Sequence, residues 1–266
     1  MHIAAILDVG LLILFMLLAW AELAAARGKD AEKPSDARLV TNFGLGILIL
    51  SIGFWLPAAK IASSFVAQGQ FPGLAELYYW PWAVALAVFL LVDSFAGYWV
   101  HRTLHTVPAL WRLHRIHHAD NSVDISTSLR SHPLELLIPL PLSVVVILAI
   151  GAPPSVVIVS QTITVAAAMF QHADLELPRL ERFLGPWLIT PATHRLHHSP
   201  DRATHDGNYG DFITLWDRLF GTFSRSKRRG QVGLEGQVAR PDHLLEQILS
   251  PVYSPIRSRS SLDISA

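Results

Sequence analysis

Long apolar runs constrain this chain more than any other feature, because few folds can accommodate so many of them. A membrane-spanning helix needs roughly 20 mostly apolar residues. Five segments approach or exceed that length, namely residues 3–26, 39–55, 80–100, 134–150 and 155–170. They predict an all-α, integral membrane helical bundle with about four to five membrane helices. The last two segments are short, so they could instead form a hairpin that enters the bilayer without fully crossing it.

The composition agrees with a membrane protein and excludes several kinds of site. Of 266 residues, 51% are hydrophobic and 16% are charged, whereas soluble domains carry about 25% charged residues. The 21 basic and 21 acidic side chains balance, so no global positive field indicates a nucleic acid partner. The chain has no Cys, which excludes disulfides, thiolate metal sites and cysteine nucleophiles.

The distribution of Lys and Arg predicts the orientation in the membrane. Cytoplasmic loops are enriched in these residues. Residues 27–38 and 101–133 carry four each, and the chain after residue 173 carries twelve, whereas 57–80 carries one and 151–154 none. This alternation predicts five crossings, an external N-terminus and a cytoplasmic location for all histidine-rich segments. The first span lacks the basic leader of a signal peptide, so we expect it to be retained.

Histidine is frequent, with 13 residues, and its spacing is more informative than its number. Clusters begin at His101, His114 and His194, and the last two share the pattern H-R-[IL]-H-H. Positions i, i+3 and i+4 share one helix face, so each HxxHH directs three imidazoles the same way. Packed imidazoles without a metal would be costly to desolvate and would repel one another when protonated. The clusters therefore predict a metal site, and imidazole suits iron, copper, nickel and zinc.

The number of histidines predicts two ions. The three clusters supply eight side chains, which is too many for one ion. Two more lie near the same membrane face: His172 follows the fifth apolar segment, and His132 precedes the fourth, where it could instead cap a helix. Five nitrogens per ion would leave an octahedral ion one open position. The ten predicted ligands are His101, His105, His114, His117, His118, His132, His172, His194, His197 and His198.

Three further residues near the clusters have predicted roles. Asp93 and Gly97 lie on the helical stripe that leads to the first histidine cluster. A carboxylate within the bilayer is costly unless it is paired, so we predict that Asp93 accepts a hydrogen bond from a ligand imidazole. A polar contact to a neighbouring helix is the alternative. Gly97 leaves space for substrate or for close helix packing, and His205 is predicted to lie in a surface loop.

The chain after residue 225 is mixed in character. Residues 241–249 predict a short amphipathic helix with Pro241 in its first turn, which could lie on the membrane surface or cap a lid. The basic residues of 225–229 could contact anionic lipid headgroups or remain solvated. Residues 254–266 are predicted to be a disordered end.

These motifs together resemble the fatty acid hydroxylase (sterol desaturase) superfamily of integral-membrane di-iron oxygenases. The matching segments are 93–102 with His105, 114–118, 132–135, 170–174, 194–198, 208–210 and 215–222. The resemblance covers about residues 78–225. It implies N-terminal membrane helices in 1–77, a catalytic domain in 78–225, and a C-terminal amphipathic helix and tail in 226–266.

The resemblance also implies an activity. Two irons, held by histidines in a cytoplasmic helical cap, would use O2 to hydroxylate an unactivated C–H bond of a lipid, which could be sterol-like, fatty acyl or carotenoid. Desaturation at the same site is the alternative. The chain has no dinucleotide or flavin fingerprint, so electrons would come from an external ferredoxin or small haem protein with its reductase.

Two functions of other classes fit the sequence less well. A zinc metallohydrolase of the zincin type needs HExxH, but Arg102 follows His101 in this chain. A bis-histidine haem protein that transfers electrons across the membrane does not require two HxxHH motifs.

Overall fold

The computed structural model describes residues 2–26, 35–225, 230–234 and 242–253, and the regular elements in these ranges are helices. Within those ranges, the only β-structure is an isolated bridge between Leu188 and Ile213. The all-α fold predicted from the sequence is therefore confirmed. The predicted disordered end, 254–266, and most of the basic cluster, 226–229, lie outside the described residues.

Among the residues that the structure describes, five helical segments are long and apolar enough to cross a membrane, as the sequence predicts. They are Ile3–Ala26, Asp36–Ala67, Trp82–Thr106, Pro133–Ile150 and Pro154–His172. The first three segments contain the helices α1 (His2–Ala26), α2 (Asp36–Trp55), α3 (Ala58–Ala67) and α5 (Trp82–Thr106). The one-turn helix α4 (Leu74–Leu77) lies between the second and third segments. The amphipathic helix α6 (Pro108–His118) precedes two 3₁₀ turns at Ile125–Leu129 and Pro133–Leu137. Helices α7 (Leu140–Ile150) and α8 (Pro154–His172) complete the bundle.

Shorter helices gather near the ends of α5 and α8 that carry histidines. They are α9 (Pro178–Leu184), α10 (Pro191–His197), α11 (Arg202–His205), α12 (Leu215–Leu219) and α13 (Leu244–Tyr253). A Pro in the first turn of α6, α8, α9 and α10 presets the backbone for a helix and removes a donor that would be unpaired there. Proline therefore sets the start of each helix that carries an HxxHH motif.

The bundle core is apolar and lies among α3, α5, α7 and α8. Phe89, Ile147 and Val156 are among its buried members. By contrast, α1 exposes large apolar side chains such as Ile6 and Trp20, as expected for a helix that faces lipid.

Two glycines allow a close contact at the opposite end of the bundle from the histidines. Helix α7 ends at Gly151, whose φ of 71° is in the left-handed region that favours glycine. Its backbone lies directly against that of Gly73, and a Cβ on Gly73 would collide with it. The turn between α7 and α8 is therefore packed onto the chain that follows α3.

The helical ends near the histidines are joined by polar contacts, of which the one between Arg38 and Asp120 is buried. Arg38, at the start of α2, donates to Asp120, with Nε 2.5 Å from Oδ1, and also to Asp124. Glu22, near the end of α1, accepts hydrogen bonds from the backbone amides of Ile125 and Asp174. The ends of α1 and α5 and the start of α2 thus lie on one side of the bundle, which fits alternating crossings.

The tail helix α13 packs against α2 and α6. The described helix begins at Leu244, and Pro241, its predicted start, lies outside the described residues. The carbonyl of Ser250 accepts a hydrogen bond from Arg115 of α6. Leu245 and Val252 remain exposed on the other face. This helix therefore covers part of the histidine-bearing end while presenting apolar side chains outwards.

Candidate metal centre

Four helices bring the predicted ligands together. Helix α5 supplies His101 and His105 near its end, α6 supplies the first HxxHH motif, α8 ends at His172, and α10 with the residue after it supplies the second HxxHH motif. The i, i+3, i+4 spacing places each motif on one helix face. Of these nine side chains, all but His101 are buried.

The nine histidines form two groups in which the potential ligand atoms lie within 4.8 Å of one another. The five-histidine group consists of His101, His105, His114, His118 and His197. The four-histidine group consists of His117, His172, His194 and His198. Each HxxHH motif contributes to both groups: the first gives two residues to the five-histidine group, and the second gives two to the four-histidine group. Two metal sites can therefore form side by side.

Backbone carbonyls orient several of the rings. A carbonyl oxygen only accepts hydrogen bonds, so the Nδ1 atom facing it carries the proton, and Nε2 of a neutral ring is left with a lone pair for a metal. The pairs are His101 with Tyr209 (2.9 Å), His117 with Arg130 (2.8 Å), His172 with Ala168 (2.7 Å) and His197 with Gly207 (2.8 Å).

The Nε2 atoms of neighbouring rings approach closely within each group. Nε2 of His101 lies 3.2 Å from Nε2 of His114, and Nε2 of His117 lies 3.1 Å from Nε2 of His172. Since Nδ1 of each ring bonds to an acceptor, these Nε2 atoms have no proton between them. Two nitrogens at roughly 2.1 Å from one ion would lie about 3 Å apart. The arrangement fits bound cations.

Other ring nitrogens point to the same conclusion. Both ring nitrogens of His105 and Nε2 of His197 are buried and have no hydrogen-bond partner among the described residues. Leaving a buried polar atom unpaired costs about 1–3 kcal/mol. Metal coordination would satisfy Nε2 of His197 and one of the two ring nitrogens of His105, so the histidine set fits a metal centre.

The electrostatics favour the neutral, ligand-competent form of the imidazoles. Burial, followed by the charges of neighbouring histidines, lowers the pKa of His117, His118, His194, His197 and His198 well below 6.5. These rings are therefore unprotonated at neutral pH, which metal binding requires.

Comparison with known proteins identifies the family. The sequence profile of the fatty acid hydroxylase family matches residues 86–222, more than half of the chain. The chain belongs to the fatty acid hydroxylase family. This confirms the resemblance noted from the motifs, and the matched region contains all nine grouped histidines.

The curated relatives of this fatty acid hydroxylase family member act on lipids, by their names. The chain is 30% identical over 207 residues to ornithine lipid hydroxylase OlsE of Rhizobium tropici, covering 73% of this chain and 60% of that protein. It is 28% identical over 235 residues to human alkylglycerol monooxygenase, covering 85% of this chain and 48% of that protein. Human lathosterol oxidase is 30% identical over 166 residues, which cover 58% of this chain and 48% of that protein. The chain thus spans about half to three fifths of the length of these relatives. No solved structure matches it.

The structure places His132, the tenth predicted ligand, outside both groups. Its Nδ1 accepts a hydrogen bond from the Leu134 amide at 3.1 Å, and its Nε2 lies 3.0 Å from the Ile248 carbonyl in α13. Both ring nitrogens are therefore occupied. His132 caps the 3₁₀ turn that it precedes, which is the alternative that the following proline suggested.

Asp93 also differs from its prediction, since none of the described imidazoles donates a hydrogen bond to it. Backbone carbonyls perform that role for His101, and Glu135 performs it for His114, with Oε1 3.0 Å from Nδ1. The space beside Gly97 is filled by the carboxylate of Asp211. Burial, together with the charges of Asp93 and Asp217, raises the pKa of Asp211 to about 7.

His205 is buried, not in a surface loop as predicted. Its ring centroid lies 5.0 Å from that of His105 and 4.7 Å from that of His118, and its Nδ1 donates to the Ser199 carbonyl. Trp111 packs on the same rings, with its ring centroid 5.0 Å from that of His105 and 5.4 Å from that of His118. The signal available in the sequence was the position of His205 seven residues after the second HxxHH motif.

A buried polar network supports the end of α6. The Arg130 side chain is fully buried, and it donates to the Ile116 carbonyl at 2.7 Å and to Asn42 of α2 at 2.9 Å. Asn42 in turn donates to Asp120. Because the Arg130 carbonyl accepts from His117, this network connects α2 to a ligand of the four-histidine group.

A cavity of about 690 Å³ adjoins the four-histidine group. It lies among the end of α8, α9 and α10, and it reaches His172. Its lining includes Gln171, His172, Leu175, Leu177, Thr193 and Leu196. The lining also contains six charged side chains, those of Asp174, Glu176, Glu181, Arg182, Arg195 and Arg225. The cavity is therefore amphipathic and lies next to a predicted ligand.

Proposed function

We propose that this chain is a membrane-bound di-iron oxygenase that hydroxylates an unactivated C–H bond of a lipid. The observation that carries the proposal is the division of nine histidines into two adjacent groups in which unprotonated Nε2 atoms face each other. The family match and the lipid oxygenases and hydroxylases among the relatives support the reaction class.

In this proposal the two histidine groups hold the irons. The set lacks carboxylate and thiolate ligands and consists of neutral imidazoles, which suit iron. When bound, iron supplies the activation of dioxygen and the oxidation of the C–H bond. We propose His101, His105, His114, His117, His118, His172, His194, His197 and His198 as its ligands.

In this proposal the chain's own residues orient the ligand imidazoles, shield them from water and bind the substrate. Backbone carbonyls and Glu135 fix the ring orientations. Trp111 covers the rings of His105 and His118. Positioning a substrate carbon near the centre would decide which bond reacts. The cavity beside His172 supports an amphipathic lipid as substrate, because its lining combines apolar and charged side chains.

Two features of the proposal concern partners and sidedness. Electrons would come from an external ferredoxin or small haem protein with its reductase, since the chain has no dinucleotide fingerprint. We place the histidine-bearing end on the cytoplasmic face, because the loops at that end carry the excess of Lys and Arg. Reporters fused after Arg229 and near Gln70 test this, with a cytoplasmic signal expected only for the first.

Metal analysis together with lipid analysis tests the reaction. We expect two irons per chain without a haem band, and a lipid heavier by one oxygen in membranes supplied with the protein, reductant and dioxygen. A product lighter by two hydrogens would identify a desaturase, which is the second candidate because lathosterol oxidase is among the relatives. Zinc without iron, or a haem spectrum, would contradict the proposal.

A further inference from the structure

A third group of potential ligands adjoins the five-histidine group and leads towards solvent. Atoms of His105, His205 and Asp206 lie within 4.8 Å of one another. Nδ1 of His105 lies 3.5 Å from Oδ1 of Asp206, and the side chain of His105 is 0% exposed while that of Asp206 is 45% exposed. The group therefore joins a fully buried imidazole to a carboxylate that water reaches.

A second observation points to a ligand at this place. Neither ring nitrogen of His105 has a hydrogen-bond partner among the residues that the structure describes, although both are buried. The 3.5 Å contact between Nδ1 of His105 and Asp206 is longer than an ordinary hydrogen bond, and Nδ1 is left unsatisfied. One nitrogen can serve the five-histidine group, and the other faces the third group.

We propose that His205, Asp206 and His105 form a transit site that takes up a divalent transition-metal ion from solvent and passes it to the five-histidine group. His105 belongs to both groups, so the transit site lies at one edge of this ring and the five-histidine group at the other. When the ion passes from one ring nitrogen to the other, the ring proton moves to the nitrogen that the ion has left. The step exchanges water and carboxylate for imidazole without a change of oxidation state. This inference rests on the proposed metal centre.

Physical considerations favour uptake here over permanent binding. A single carboxylate attracts a dication and raises its local concentration, and such steering can change association rates by roughly tenfold or more. The five-histidine group offers more imidazoles in a buried environment than the transit site does. The ion should therefore move inwards and leave the transit site vacant.

The test measures cobalt uptake by metal-free full-length protein in detergent at low ionic strength. Co²⁺ is added below saturation, the reaction is quenched with a chelator at increasing times, and cobalt per chain is determined. We expect Asp206→Asn and His205→Gln to lower the initial uptake rate about tenfold, while the final cobalt content stays at that of the unaltered protein. Added salt should slow uptake by the unaltered protein much more than uptake by Asp206→Asn.

Asp201→Asn is the matched control. It removes the same charge from an exposed residue of the preceding turn, outside the transit site, and should keep the normal rate. Unchanged rates in both variants would overturn the proposal. A lower final cobalt content would also overturn it, because the two residues would then be permanent ligands. If the unaltered protein takes up no cobalt, the proposed metal centre itself fails.

Discussion

Oε1 of Glu135 accepts a hydrogen bond from Nδ1 of His114 over 3.0 Å. An ionised carboxylate only accepts, so this contact keeps the proton on Nδ1 and directs the lone pair of Nε2 into the five-histidine group. Glu135 lies in the 3₁₀ turn that follows His132. The 3₁₀ turn Pro133–Leu137 therefore fixes the ring orientation of a proposed ligand on α6.

We expect Glu135→Gln to weaken metal binding by the five-histidine group about 10–100-fold, the usual effect of losing a partner behind a ligand. Asp93→Asn is the comparison, because it changes a carboxylate on α5 that contacts no described imidazole; its affinity should stay near normal. Metal titration followed by chelator competition measures both. Weaker binding in Asp93→Asn alone would restore the role that the sequence suggests for Asp93.

The two HxxHH motifs allow a test of the separate groups. His117→Ala leaves three histidines in the four-histidine group, whereas His197→Ala leaves four in the other. Since four imidazoles still suit a metal ion and three leave it open to solvent, we expect His117→Ala to lose more metal.

Both variants should lose product formation, and iron per chain with oxygen-dependent product is the measurement. The control is His243→Ala, which alters an exposed histidine before α13 and should change neither quantity. Full activity in both His117→Ala and His197→Ala would sink the di-iron proposal.

Two substitutions of His132 distinguish a capping role from a role as metal ligand. His132→Ala removes the acceptor for the Leu134 amide and the contact to the Ile248 carbonyl, so it should lower the free energy of unfolding by about 1 kcal/mol. His132→Asn should lose less, because Asn is a good capping residue. Metal content should be unchanged in both variants. Loss of an iron from His132→Asn would return this residue to the ligand set.

The buried histidines make the stability of the metal-free protein depend on pH. Burial and neighbouring histidines lower the pKa of His118 and His198 in the folded protein below the ordinary value of 6.5. Below pH 6.5 the unfolded chain therefore binds more protons than the folded one, and the free energy of unfolding falls as pH falls.

Above about pH 7 these histidines are neutral in both the folded and the unfolded chain, so they should no longer change the free energy of unfolding. Thermal unfolding of metal-free protein at several pH values between about 5 and 8 checks this. A midpoint that does not fall on acidification would show that water reaches the site.

The sequence predicts the membrane helices and all nine histidines of the two groups, because both predictions depend on local spacing. Apolar length identifies a span without knowledge of its neighbours, and i, i+3, i+4 spacing sets a helix face. The assignment of ligands to groups is not local: His114 and His117 are on the same helix face but belong to different groups.

The residues that differ from prediction depend on tertiary contacts. His132 contacts α13, more than 100 residues away in sequence. Asp93 lies about one turn before Gly97 on the same face of α5, but the carboxylate that fills the space beside Gly97 belongs to Asp211. His205 is buried because its loop folds back on α5 and Trp111. Such contacts have no signature in hydropathy or local spacing.

If both histidine groups bind ions as proposed, the shared helices should couple the two ions thermodynamically. Helix α6 contributes to both groups, and so does α10 with His198, so an ion bound in one group already restricts the backbone that presents ligands to the other. The protein then loses less conformational entropy when the second ion binds. By reciprocity, each ion raises the affinity of the protein for the other ion. A partly loaded preparation should therefore be a mixture of empty and doubly loaded chains, with few that hold a single ion.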